Sequence, residues 1–330
     1  MKTRIEELGF VPTDDFLPIQ KGGSARSFFR FTDAQKGACV FCEYSAEKEE
    51  NFLYAPIAEF LRSCGVSVPK IYFHDSAKRI LVMEDLGVCD LLDFSKSASA
   101  EDVERAYEAA LLELAKIHSA ASAEFAKSSI KLMPKFDDAL YTWEQNYFYD
   151  NLVRGFFVLD VPKPADEWAA LRVALVEMPE CLLHRDFQSQ NVIVRGSGSV
   201  GLIDFQGMRL GVLWYDLASM LYDPYADMSP ALRTKLFNYY CEIRGVDSAE
   251  SAPPFFKAAA ERLMQALGAF AFLSLQKGKR EYIGHIPAAL RLLKECALFA
   301  GLPQTLNLAE LCEKSLADNP HFCEFQNNAK

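Results

Sequence analysis

The stretch that decides the fold is LLHRDFQSQNVIV, residues 182–194. Two apolar runs, Leu182-Leu183 and Val192-Ile193-Val194, ask for burial, yet His184, Arg185, Asp186 and a lone Asn191 stand between them. Working outward, NVIVR and VGLID are short β-branched runs joined by RGSGS at 195–199, the pattern of a β-hairpin with a glycine- and serine-rich turn. Such a hairpin carries Asn191 at one base and Asp204 at the end of its return strand, with Asp186 on the loop that enters it. Three oxygen-bearing side chains thus converge on one edge of a small sheet.

Phosphoryl transfer needs such a set: a carboxylate to orient a nucleophilic hydroxyl, and hard oxygen ligands to hold Mg²⁺ on the phosphates of ATP. His184-Arg185-Asp186 followed after four residues by Asn191 has the spacing of the kinase catalytic loop, and Ile203-Asp204-Phe205 stands in for its metal-binding Asp-Phe-Gly. Four fixed residues at about 0.05 each give roughly a 0.002 chance of accidental occurrence in a chain of this length. Against this stands a plain reading in which Asp186 caps a helix, Asn191 starts a turn and Asp204 is solvated.

The rest of the chain changes character near residue 87. Before it, SFFRF, ACVFCEY, KIYFHD and RILVMED read as strands, with one helix over about 47–64 ending at Cys64-Gly65. After it, amphipathic helices are expected over 100–118, 137–154, 165–177, 212–222, 230–244 and 254–276. The expectation is a bilobal α+β protein, with a small β-rich lobe over 1–86 for the nucleotide and a large helical lobe over 87–330 for catalysis and substrate.

Composition narrows the function classes. The 330 residues carry 35 basic against 45 acidic side chains, a net charge of −10, so neither nucleic acid nor an anionic membrane is an expected partner, and no obligate protein partner is implied. ALGAFAFLSL at 266–275 is half of what a bilayer crossing needs and reads as a buried helix. The N-terminal residues have no apolar run of signal-peptide length, and nine scattered cysteines fit a reducing compartment, which points to the cytoplasm. Cys39 and Cys42 have metal-site spacing, but on a strand they point to opposite faces, and the default is two small buried hydrophobes.

The sequence resembles the aminoglycoside-phosphotransferase-like branch of the kinase superfamily. Within it, the chain is similar to bacterial kinases of the anomeric hydroxyl of N-acetylmuramate and N-acetylglucosamine. SARSFFRF at 24–31, LVMEDLG at 81–87, KFDDALYTWEQNYF at 135–148, HRDFQSQNVIV, and IDFQGMRLGVLWYDLASMLYDPY at 203–225 carry the likeness, with a further stretch at 267–287. The resemblance implies the protein-kinase-like fold, Asp186 as catalytic base, and Asn191 and Asp204 as Mg²⁺ ligands. His184 and Phe205 would pack behind them, Asp216 would be a buried structural carboxylate, and His118 a packed residue. Residues 84–86 would meet the adenine, with Glu84 and Leu86 at the ends of the hinge.

Only 12 positions separate Asp204 from Asp216 and no Ala-Pro-Glu follows, so the chain has no long segment on which a peptide could dock and the acceptor should be a small molecule. Gln188 stands where protein kinases carry lysine, and Gln206 replaces the glycine of Asp-Phe-Gly. Gly22, Gly23 and Ser24 offer backbone N–H groups for a phosphate loop. The third strand, ACVFCEY, has Cys42 or Glu43 where the kinase pattern puts its phosphate-binding lysine, so Arg26, Arg30 and Lys48 are the candidate replacements. Over 137–148, Trp143 and Glu144 are candidate sugar contacts, offering an aromatic face for C–H groups and a carboxylate for hydroxyls; Gln265, Lys279 and Arg280 follow. Alternative acceptors are an aminoglycoside, a choline-like alcohol or another sugar. An alternative of a different class is a catalytically inactive nucleotide-binding protein, motivated by the missing lysine.

Overall fold

The computed structural model describes residues 1–19, 26–196, 198–226 and 228–328. Nine strands occur among them: β1 Leu17–Ile19, β2 Ser27–Asp33, β3 Gly37–Glu43, β4 Ile71–Asp75, β5 Ile80–Glu84, β6 Glu180–Leu183, β7 Val192–Val194, β8 Val200–Leu202 and β9 Arg209–Val212. Helices make up most of the remainder, so the α+β class read from the sequence holds. The chain divides into two compact units that do not follow a single cut. One comprises residues 1–133, 184–186 and 190–209; the other comprises 134–183, 187–189 and 210–330.

The first unit is built on an antiparallel sheet of order β1-β2-β3-β5-β4. Its central strand β3 is buried on both faces from Cys39 to Cys42, which explains why ACVFC reads as a continuous apolar run rather than an alternating one. Phe31, Cys39, Phe41, Ile80 and Val82 line one face and close over Ile5 and Phe10. Burial pushes the Cys39 thiol up to about 11 and the Cys42 thiol up to about 12, so both remain neutral hydrophobes. The expected helix over 47–64 is a short 3₁₀ segment followed by a helix from Tyr54 to Ser63. A second helix, Ala100–Lys116, starts where Ser99 accepts the Asp102 N–H and runs into a π-helical turn, where His118 is buried.

The second unit is helical apart from β6 and β9, which pair as a two-stranded sheet. Helix Asp138–Phe148 begins one residue after the expected 137 because Asp137 caps it, accepting the Leu140 N–H at 2.8 Å. Helix Pro230–Arg244 matches the sequence reading at both ends, with Ser229 as cap and Gly245 as left-handed terminator. The central helix, Ser248–Gln276, departs from it. It starts six residues before the expected Pro254, capped by Asp247, and carries Pro253 and Pro254 in its interior. Each proline forfeits a single bond to a carbonyl in the first turn, a loss the long buried stretch beyond it offsets. The expected buried segment at 266–275 lies inside this helix, with Ala266, Leu267, Phe270 and Ala271 all buried. No helix among the described residues is long and apolar enough to cross a membrane.

Candidate active site

The hairpin at 192–202 forms as read, with Val192 opposite Leu202 and Val194 opposite Val200. Its turn closes through Arg195 N–H to the Ser199 carbonyl at 2.8 Å, and Gly198 supplies the left-handed residue at φ +78. At the open end, the Ile203 N–H donates to the Asn191 carbonyl at 3.0 Å, which sets Asn191 beside the strand end that delivers Asp204. The hairpin is tied to the segment after β5: the Val194 N–H donates to Cys89 O at 2.9 Å, and a side chain on Gly201 would fall 2.7 Å from Leu86 Cδ1.

Asp186 and Asn191 are joined directly, the Asn191 Nδ2 donating to the Asp186 carbonyl at 2.8 Å. The Asp186 carboxylate is half-buried and ion-paired with Arg185. Arg185 sits at φ +80 and Asp204 at φ +65, so the residue before one carboxylate and the residue bearing the other both occupy the left-handed region. Behind them, His184 and Phe205 are fully buried and meet edge to face at 6.4 Å, and Tyr54 stacks on Phe205 at 4.6 Å.

Asp204 has partners that sequence reasoning missed. Its Oδ1 accepts from Arg26 Nη2 at 2.6 Å and from Gln206 Nε2 at 3.0 Å. Gln206, expected to matter only as the loss of a glycine, thus orients the carboxylate. No local signal could have shown the Arg26 pairing, because the two residues are 178 positions apart. The second oxygen of Asp204 has no hydrogen bond among the described residues, and with Nδ2 committed Asn191 keeps its amide oxygen as a donor to a cation. Two hard oxygens of this kind fit Mg²⁺, which takes few protein ligands and fills the rest of its shell with water and phosphate oxygens. No group of three His, Cys, Asp or Glu suited to caging a metal occurs among the described residues.

Residues 84–86 begin at the last residue of β5 and leave one main-chain donor open. The Glu84 and Asp85 N–H groups are used by Lys70 O at 2.8 Å and Ala38 O at 3.1 Å, while the Leu86 N–H has no partner among the described residues. Glu84 turns its carboxylate to Arg195 at 3.5 Å and Arg62 at 3.9 Å. Arg30 braces the 85–87 segment, bonding Asp85 at 2.6 Å and Gly87 O at 2.7 Å. Lys48 is exposed beside Glu50. Gly22, Gly23 and Ser24 lie outside the described residues.

In the second unit, Trp143 is half exposed and stacks on Tyr147 at 4.8 Å, presenting an aromatic face to solvent. Glu144 turns the other way, is buried, and accepts the Tyr215 hydroxyl at 2.9 Å. Gln265 is taken by Arg262 at 2.6 Å and Arg280 by Glu324 at 2.8 Å. Asp216 is fully buried, as read. A second buried carboxylate, Asp223 in LYDPY, was not singled out: its Oδ2 accepts both the Ser189 N–H at 3.0 Å and the Ser189 hydroxyl at 2.5 Å, anchoring the middle of the 184–191 loop. An aspartate inside an otherwise apolar run was the available signal.

Known proteins resemble this chain along most of its length. The phosphotransferase enzyme family (APH) matches residues 15–253. An N-acetylmuramate/N-acetylglucosamine kinase of Pseudomonas aeruginosa is 25% identical over 318 residues, covering 93% of this chain and 90% of that protein. A protein of the same name from Neisseria meningitidis is 26% identical over 282 residues, covering 82% of this chain and 81% of its own. Among solved structures, a choline/ethanolamine kinase family protein from Mesorhizobium loti superposes with a TM-score of 0.63 at 15% identity, covering 94% of this chain and all of the other. The ADP-bound aminoglycoside phosphotransferase APH(2'')-Ib does so with a TM-score of 0.58 at 14% identity, covering 90% and 97%. The fold is therefore that of the kinase-like phosphotransferases.

Proposed function

The chain belongs to the phosphotransferase enzyme family, and from that premise we propose that it transfers the γ-phosphoryl group of ATP to the anomeric hydroxyl of N-acetylmuramate or N-acetylglucosamine. The transfer of phosphate to a hydroxyl acceptor is the family's activity. The observation that carries the mechanism is the hairpin base at which Asn191 bonds Asp186 and accepts from Ile203, the residue before Asp204. The amino-sugar acceptor is supported by the names of the curated relatives.

Asp186 orients the acceptor hydroxyl and takes its proton as the oxygen attacks the γ-phosphorus; the bond from that phosphorus to the β–γ bridging oxygen breaks and ADP leaves. Asn191 and Asp204 hold Mg²⁺, which when bound neutralises charge on the phosphate oxygens. Leu86 offers its N–H to the adenine edge, with Glu84 fixing the strand end before it. Gly22, Gly23, Ser24 and Arg26 serve the phosphates. Residues 1–86 act as the nucleotide lobe and 87–330 as the catalytic and substrate lobe. The exposed Trp143–Tyr147 stack suits the C–H face of a sugar ring, whereas Glu144, buried and hydrogen-bonded to Tyr215, is not placed for sugar contact. Nine free cysteines and the composition favour the cytoplasm.

The test is a screen of ATP consumption with Mg²⁺ across N-acetylmuramate, N-acetylglucosamine, other sugars, aminoglycosides and choline, with phosphorus NMR of any product. The expected product is a sugar 1-phosphate. Turnover on a non-sugar alone overturns the acceptor; nucleotide binding with no turnover on any acceptor supports an inactive nucleotide-binding protein instead.

A further inference from the structure

The kinase pattern requires a cation on the third strand, and this chain has Cys42 and Glu43 there. Cys42 is buried with a thiol held neutral by its surroundings, so the strand itself supplies no positive charge at that position. Of the three cations that sequence offers in exchange, Arg30 is locked to Asp85 and Gly87 at the hinge, and Lys48 is 59% exposed beside Glu50. Arg26 differs from both. It is 11% exposed and immediately precedes β2, next to Ser27, the residue paired with Glu43. Its charge acts on Cys42 and Tyr54, and its guanidinium lies 5.5 Å over the Phe28 ring and 2.6 Å from Asp204. The guanidinium therefore occupies the neighbourhood of the missing lysine from the residue that leads into the adjacent strand β2.

We infer that Arg26 is the replacement for that lysine, and that it alternates between two anions: it covers the metal ligand Asp204 while the nucleotide site is empty, and transfers to the nucleotide phosphates when Mg-ATP enters. A divalent cation and a guanidinium on one carboxylate repel each other, so seating the metal displaces Arg26 from Asp204. The polyphosphate arriving with the metal offers that guanidinium a bidentate partner. Gln206 stays on Asp204 throughout and holds the carboxylate in place during the exchange. The inference rests on the reading of the chain as an ATP-dependent phosphotransferase, but not on the identity of its acceptor.

The two anions make opposite demands, and that gives the test. In the full chain, Arg26→Gln removes the charge while keeping the length, and Arg26→Lys keeps the charge. Mn²⁺ binding without nucleotide is followed by electron paramagnetic resonance, Mg-ATP binding by calorimetry, and folding by thermal melting. Arg26→Gln should bind Mn²⁺ about tenfold more tightly than wild type and Mg-ATP at least about tenfold more weakly, the scale of one charged hydrogen bond lost. Arg26→Lys, which keeps the charge but loses the bidentate fork, should fall between wild type and Arg26→Gln in both. A merely structural arginine would weaken both ligands together with the melting temperature, and that result, or an unchanged Mn²⁺ affinity, overturns the inference. Wild-type protein that binds Mg-ATP yet phosphorylates no amino sugar overturns the acceptor and leaves the Arg26 result standing; wild-type protein that binds no Mg-ATP overturns both.

Discussion

Asp186 and Asp204 are each held by a backbone conformation that an ordinary residue avoids. Arg185 at φ +80 and Asp204 at φ +65 cost on the order of 1–3 kcal/mol each in a chain without glycine at those places. The surroundings fix them: Asn191 bonds the Asp186 carbonyl, Arg26 and Gln206 take one oxygen of Asp204, and Phe205 is packed against His184 and Tyr54. The strain is spent on aiming two carboxylates, and this separates their roles. Asp186→Asn keeps the shape and the Asn191 bond, which goes to the main chain, and removes only the charge proposed to orient and deprotonate the acceptor. Turnover should fall by about 10²–10⁴ while the affinity for Mg-ATP stays within about twofold, measured by steady-state kinetics beside nucleotide calorimetry. Near-wild-type turnover in that variant would remove Asp186 from the chemistry.

Among the elements of the helical unit, the crossing of helix Ser248–Gln276 with helix Asp138–Phe148 depends on one missing side chain. A Cβ on Gly268 would lie 2.8 Å from the Phe148 nitrogen and 2.9 Å from the Tyr147 carbonyl carbon, both main-chain atoms that cannot turn aside. Gly268→Ala should therefore force the helices apart and destabilise by about 1–3 kcal/mol, read as a lower denaturant midpoint, despite the better helix propensity of alanine. The same crossing buries Glu261, whose Oε2 accepts from Gln145 at 2.9 Å. Burial, and then the charge of Glu144, raise its pKa well above the ordinary glutamate value. The folded state thus favours the protonated acid, so its contribution to stability is full below the ordinary glutamate range and is lost as pH rises towards the raised value. Glu261→Gln keeps a neutral group at every pH. It should leave stability at pH 4 nearly unchanged and raise it at pH 8, by on the order of 1 kcal/mol, in paired thermal melts; equal shifts at both pH values would count against a buried, protonated Glu261.

Across the whole molecule, what was legible in the sequence was local. Strands β2 to β5, the hairpin with its RGSGS turn, and the helix bounded by Ser229 and Gly245 were readable because alternation, turn residues and caps act within a few positions. The start of the central helix was misread because a proline pair resembles a helix beginning, and only the tertiary burial beyond it lets the helix run through. The candidate site was legible as a list of residues, Asp186, Asn191 and Asp204, but not as a network. Arg26 reaches Asp204 across 178 positions and Ser189 reaches Asp223 across 34, and no sequence period records such pairings. Arg26, residues 84–86, Asp186, Asn191 and Asp204 lie in one compact unit, although the chain leaves that unit and returns to it. This grouping has a measurable consequence. A nucleotide stabilises the part that binds it, by about 2.7 kcal/mol at a concentration of 100 times its Kd, equivalent to about a hundredfold slower opening equilibrium. With saturating Mg-ADP, amides that exchange by local opening within 26–43, 80–87 and 190–204 should gain protection approaching that factor. Those in helices Pro230–Arg244 and Pro303–Lys314 of the other unit should gain little. Hydrogen exchange followed by mass spectrometry reads both sets in one experiment, and protection concentrated in the second set would move the nucleotide away from the hairpin.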